Sequence, residues 1–275
     1  MKLSQVRLMA LALLVVLTGS GCVNRIRSKY ELNESARAYK EGKFQEAETH
    51  ARLALGYNPE QKNADIFLAR TIHAQFKPGV DNAANTALAQ RAIDSYKLVL
   101  EKNPDNEEAF QAVAYLLGQT KQEAAQQKWI TDRATSEQVS PTNRANALVF
   151  LASREWQCSY DITENPEVKG TVQKGDKMVF TFKRPKNPDD FNKAQQCVAR
   201  GRELAEKAIS FDAQNDRAWG YKTNLLLEAR KLAEMDNKTE EVANLGKQAD
   251  EAQARTSELS NKRKAEEDAK KATPK

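Results

Sequence analysis

Two histidines in 275 residues leave little with which to run acid–base chemistry. His50 and His73 have no close cysteine or paired-carboxylate neighbour in the sequence, so no metal-ligand spacing forms around them. Also missing are H-E-x-x-H, G-x-S-x-G, a phosphate-cradling glycine loop and C-x-x-C. The sequence predicts no enzyme, no cofactor and no metal site. Charge of one sign is lacking too. The 43 basic and 38 acidic residues leave a formal +5, and Lys2 and Arg7 sit at the extreme N-terminus, which is too balanced for a nucleic-acid partner. Glycine (11) and proline (8) are sparse and aromatics are only 7%, whereas Ala, Glu, Lys, Gln and Leu dominate, so the class is all-α.

What is present is a repeat. Within residues 87–106, Ala92, Tyr96, Val99 and Leu100 follow the three-and-four spacing of an amphipathic helix, which Asn103-Pro104-Asp105-Asn106 stops. Ala47, Ala51, Ala54 and Leu55, closed by Asn58-Pro59, form an earlier copy. Ala47 to Ala92 and Pro59 to Pro104 are both 45 residues. A helix over 31–41, with Leu32, Ser35, Ala36, Ala38 and Tyr39, precedes that copy; Gly42 ends it and Phe44 opens the next.

The line G-K-F-Q-E-A-E-T-H-A-R-L-A-L-G-Y-N-P resembles the tetratricopeptide repeat. The resemblance implies a right-handed α-solenoid of helix pairs over residues 31–162 and 190–236. A family repeat of about 34 residues places about eleven extra residues at the polar turn 77–85. Helices are expected over 64–76, 86–102, 107–118, 122–134, 143–160, 190–210 and 218–235. The insertion 163–189 breaks the pattern; Thr171–Gln173 and Met178–Lys183 alternate about Lys174-Gly175-Asp176, which predicts a β-hairpin. A C-terminal helix over 237–261 carries Val242, Leu245, Ala249, Ala252, Thr256 and Leu259 in a heptad-like pattern. It reads as a capping helix, or alternatively as a dimerising coiled coil. Residues 262–275 read as a disordered charged tail.

The N-terminus carries Lys2 and Arg7, then a ten-residue apolar run over 8–17, too short to span a bilayer. Small residues 18–21 lead to Cys22. This stretch resembles a bacterial lipoprotein signal, although Gly19 stands where such signals usually carry an aliphatic residue. The resemblance implies removal of residues 1–21 and lipidation of Cys22, with 22–30 as a basic tether. Val23 after the cysteine, rather than Asp, implies the periplasmic face of the outer membrane over the inner membrane. In an exported protein the remaining pair, Cys158 and Cys197, suggests a disulfide at the base of the insertion.

In tetratricopeptide proteins the first helix of each pair lines a groove that binds peptide segments or partner domains. Carried onto this chain, the groove residues are Tyr39, Lys40, Arg70, Gln111, Tyr115 and Asn146. Trp129, Trp156 and Trp219 fall on apolar stripes and are expected in the core. The resulting expectation is a monomeric, non-catalytic, lipid-anchored adaptor that binds a protein partner in cell-envelope assembly. Two alternatives stand beside it: a structural tether or dimer through the C-terminal helix, and a ligand receptor with residues 163–189 as its lid.

Overall fold

The computed structural model describes the backbone of residues 3–272, with side chains described from Cys22 onward. The leader expected over residues 1–21 therefore lies outside the residues whose side chains are described. Among the described residues the order is α1 (Leu3–Lys40), α2 (Phe44–Tyr57), α3 (Ala64–His73), α4 (Ala83–Lys102), α5 (Glu107–Gln119), α6 (Glu123–Thr135) and α7 (Pro141–Thr163). Then come β1 (Lys169–Lys174), β2 (Lys177–Phe182), α8 (Pro188–Phe211), α9 (Asp216–Met235) and α10 (Thr239–Ala272). The fold is all-α, built of tetratricopeptide-like helix pairs with one inserted hairpin. No helix among the described residues is long and apolar enough to cross a membrane. The chain divides into two compact units, one ending at Gln126 and the other starting at Gln127.

In unit 1, small residues bring the paired helices together. Ala47, Ala51 and Ala54 of α2 are fully buried, and the seam they form against α1 is fastened by two serines seven residues apart. Ser28 donates its hydroxyl to the Ala54 carbonyl at 2.7 Å, and Ser35 donates to the Ala47 carbonyl at 2.6 Å. This arrangement corrects the reading of residues 22–30 as a tether. No glycine or proline interrupts 23–40, so the helix simply continues, and Ser28 is buried within it. Gly42 then turns the chain at φ +76°, a backbone that an L side chain strains. The same scheme recurs in α4, where Ala89, Ala92, Ile93, Tyr96 and Val99 are buried. Asparagine caps start three helices alike: Asn82, Asn106 and Asn215 each accept from the backbone N–H three residues on.

In unit 2, α7 packs on α8, and both meet α9. The Cys158–Cys197 disulfide joins α7 to α8 with Cα atoms 6.2 Å apart. Nearby, buried Gly201 lets the helices approach, since a Cβ there would meet Leu225 Cδ2 at 2.5 Å and Glu155 Cβ at 3.0 Å. The hairpin is a two-stranded antiparallel sheet with Lys174 opposite Lys177. All three tryptophans are half-buried rather than core residues; Trp156 stacks near Tyr160 and Tyr221, and Trp219 donates its indole N–H to the Ala213 carbonyl at 3.1 Å. Each needs its polar or ring edge served, which keeps it at the rim of the stripe.

The helix α10 corrects a second reading. Residues 262–272 continue as helix because the Ala-, Glu- and Lys-rich sequence favours it. Arg263 fastens that stretch by donating to Asp216 at 3.1 and 3.2 Å and to Glu267 at 2.9 Å. Residues 273–275 of the expected tail lie outside the described residues. The heptad-like residues Leu245, Ala249 and Ala252 are buried against Leu226 and Ala233 of α9. That seam is therefore occupied within the chain.

Candidate functional site

In unit 1, α1, α3 and α5 present one face around an open concavity. Each is the first helix of its pair, and each buries its small and apolar residues against the second helix. The opposite residues are left facing outward. These line a cavity of about 770 Å³: Tyr39 from α1, Arg70 and His73 from α3, Gln111 and Tyr115 from α5, with Tyr96 of α4 at the floor.

Aromatic edges give the surface its form. Tyr39 meets Phe44 and Phe67 edge-on, with centroids 5.2 and 5.7 Å apart. His73 stands perpendicular to Tyr96 at 5.8 Å and tilts toward Tyr115 at the same distance. Burial lowers the pKa of His73, so the ring is neutral at pH 7. Burial, and secondly the charge of Glu108, push the Tyr96 phenol well up, so it too stays neutral. Its hydroxyl lies 3.3 Å from His73 Nδ1. Charge enters only at the rim, where Arg70 grips both carboxylate oxygens of Glu108 with Nε and one terminal nitrogen.

Four of the six residues expected at a groove meet in this cavity: Tyr39, Arg70, Gln111 and Tyr115. Lys40, next to Tyr39, is exposed and does not line it. Asn146 belongs to α7 in unit 2 and accepts from the side-chain amide of Asn215 at 2.9 Å. Its amide supports the cap of α9, which corrects its placement in the groove. Sequence reasoning missed His73, Tyr96 and Glu108. Tyr96 looked like an ordinary member of the buried stripe of α4, and His73 was weighed only as a metal ligand. Arg70 stands in the last turn of α3 and Glu108 in the first turn of α5, so no shared repeat position in the sequence points to their pairing.

Unit 2 has a second polar assembly, buried rather than open. Glu228 of α9, only 2% exposed, accepts from Ser159 at 2.9 Å, Thr163 at 2.8 Å and Lys231 at 2.6 Å. Lys231 also donates to Glu164 at 2.7 Å, and Lys169, the first residue of β1, bonds the same carboxylate. Burial pushes the Glu164 pKa up, but the bonds from Lys169 and Lys231 outweigh it and hold the group ionised below its ordinary value. Among the described residues no group of three His, Cys, Asp or Glu is gathered in a form able to hold a metal. Cys22 is exposed and free.

No family model matches the chain, and no curated protein matches its sequence. Solved structures do resemble it. The MamA RS-1 ArsTM double mutant aligns at 15% identity over 87% of this chain and 97% of that one, with a TM-score of 0.42. MamA 41-end from Desulfovibrio magneticus RS-1 aligns at 16% identity over 86% and 96%, with a TM-score of 0.41. A tetratricopeptide repeat protein from Parabacteroides merdae ATCC 43184 aligns at 13% identity over 85% and 97%, at 0.35. Similarity at this level says nothing about activity or partners.

Proposed function

We propose that the chain is a non-catalytic scaffold that takes a segment of a protein partner in the groove of unit 1. Acylated Cys22 holds it at the periplasmic face of the outer membrane, and the partner belongs to envelope assembly. The observation that carries the reading is the convergence of Tyr39, Arg70, His73, Tyr96 and Tyr115, from four different helices, on one open cavity. Neutral rings supply broad contact area at low entropic cost, and a few polar groups fix orientation. The two-point Arg70–Glu108 pair at the rim leaves further N–H groups of Arg70 to meet a backbone or side-chain amide carbonyl.

A photoreactive amino acid in place of Tyr115, with crosslinking in intact cells, tests the groove. Capture of one discrete protein, lost when Arg70→Glu reverses the rim charge, supports the reading. Equal capture from a photoreactive residue at Glu101, outside the cavity, overturns it. Mass spectrometry of the mature N-terminus tests the anchor separately: a diacylated or triacylated Cys22 supports it, and an intact residue 1 removes it.

A further inference from the structure

A two-stranded hairpin on its own is marginally stable in water. This one is fixed at its base from several sides. Val168 is buried with Phe191, Val198, Leu232 and Met235, and Phe182 packs on the same cluster. Lys169 is tied to Glu164, and Arg184 donates to Asp236 at 2.9 Å through Nε. The disulfide braces α7 against α8, and the Glu228 assembly braces α7 against α9. Beyond that base the hairpin is largely open: the Lys169 Nζ lies 4.0 Å from the centre of the Phe180 ring, yet Met178 is 65% exposed and Phe180 61%.

The ladder register determines what the open part offers. Lys174 and Lys177 flank a two-residue turn, and Lys183 N donates to the Val168 carbonyl at 3.0 Å. Alternate antiparallel pairs exchange bonds, so Val172–Val179 and Gly170–Thr181 are bonded pairs. The N–H and C=O groups of Met178 and Phe180 consequently point away from β1, along an open edge. Met178 and Phe180 project from one face of β2, while Lys177 and Lys183 project from the other. Lys174, Lys177 and Lys183 make no ion pair among the described residues, whereas Lys169, Arg184 and Lys186 are each paired.

We propose that β2 is a docking edge at which an extended acidic segment of a protein partner pairs as a third strand. Its main chain bonds Met178 and Phe180, its apolar side chains lie beside theirs, and its terminal carboxylates reach Lys177 and Lys183 on the opposite face. A second copy of the chain fits poorly. Antiparallel pairing of two β2 edges about Phe180 sets Lys177 against Lys183 in both directions. A bilayer fits poorly too, because the turn Lys174-Gly175-Asp176-Lys177 would lead charges into it.

The test titrates the full-length disulfide-bonded protein into a labelled heptapeptide with glutamate at both ends and alternating valine and threonine between. Fluorescence anisotropy reads binding. The acidic peptide binds, and the same peptide with terminal lysines binds at least about tenfold more weakly, a difference of about 1.4 kcal/mol. Methylating the probe's strand-facing amides abolishes binding without touching the protein. Met178→Pro, which removes only an outward-facing N–H, weakens it by a similar factor; unchanged tryptophan emission checks that unit 2 stays folded. Lys177→Glu with Lys183→Glu reverses the preference toward the lysine peptide. Arg70→Ala, in the groove of unit 1, leaves the titration unchanged whether or not that groove has a partner. Equal affinity for both peptides, or full affinity of the methylated probe, overturns the proposal. So does binding to phosphatidylglycerol vesicles without binding to the peptide.

Discussion

Unit 1 and unit 2 are both made of paired helices with alanine at the seams, yet they resist unfolding by different means. Unit 1 contains one cysteine, Cys22, so no internal disulfide can form there; serine hydroxyls and small residues fasten its helices. Its single deeply placed carboxylate, Glu48, is 8% exposed and meets Arg52, Arg91 and Gln75 near the surface. Unit 2 has a covalent link, a carboxylate at 2% exposure and a long cap in α10. The difference tracks what each unit displays. An aromatic groove can be shaped by the helix faces themselves. A projecting hairpin needs a stiff platform, because its own two strands cannot hold their position.

The largest test of this contrast removes the disulfide. Cys158→Ser with Cys197→Ser releases a loop with a sequence separation of 39 residues. The chain-entropy model puts the loss at about 4 kcal/mol. Trp129, Trp156 and Trp219 all lie in unit 2, so tryptophan emission during urea unfolding reports that unit alone. The emission midpoint drops sharply, while the part of the far-ultraviolet circular dichroism signal not matched by emission keeps its midpoint. A common shift of both signals would mean that the units unfold as one body.

Glu228→Ala comes next, at a loss of about 3 kcal/mol, because it takes the acceptor from two buried hydroxyls and leaves Lys231 with Glu164 as its one carboxylate partner. Glu228→Gln keeps the hydroxyl bonds and loses less. The same emission midpoint measures both. A negligible effect of Glu228→Ala would show that water re-enters the site and that the platform is softer than its burial implies.

Glu48 is the matching carboxylate of unit 1, and its loss is smaller. Burial raises its pKa, but hydrogen bonds from Gln75 and Arg52 and the charge of Arg91 lower it further, leaving the folded value below the ordinary 4.5. The sign follows from proton binding: above 4.5 the full contribution to stability is present, and it disappears as pH falls through the lower folded value. Glu48→Gln costs about 1 kcal/mol at pH 7, since Arg52 and Arg91 are about half exposed and regain water. Hydrogen exchange of α2 amides between pH 3 and pH 6 shows the variant's protection changing less with pH than the parent's.

How far the sequence carried depends on the kind of signal. The seam alanines, Asn58-Pro59 and Gly42 are local and periodic, so helix pairs and turns were legible from residue types alone. The hairpin was legible from alternation on either side of Gly175, and the cysteine pair from its position around the insertion. Residues 22–30, read as a basic tether, and 262–272, read as a disordered charged tail, misled because uninterrupted helix formers continue a neighbouring helix, the latter helped by the i,i+4 pair Arg263–Glu267. In the groove, Tyr39, Arg70, Gln111 and Tyr115 follow from the rule that first helices line it. Tyr96 does not, because only the tertiary placement of α4 reveals that one edge of a buried stripe reaches the cavity floor. Asn146 failed for a related reason: an amide near a helix start can serve a neighbouring cap as readily as a ligand, and sequence spacing does not tell the two apart.

The smallest stability effect is the most informative about function. Arg70 and Glu108 form a two-point ion pair, but both side chains are more than 40% exposed. Such pairs contribute at most about 1 kcal/mol, because solvent screens them and side-chain entropy opposes them. Arg70→Ala should therefore leave unit 1 nearly as stable as the parent by thermal circular dichroism, while capture through the groove falls. A large loss of stability would mean that the pair braces α3 against α5 and that the groove is a by-product of that bracing. An unchanged melt with unchanged capture would place the partner elsewhere on the chain. Only the combination of preserved stability and lost capture assigns the Arg70 rim to recognition.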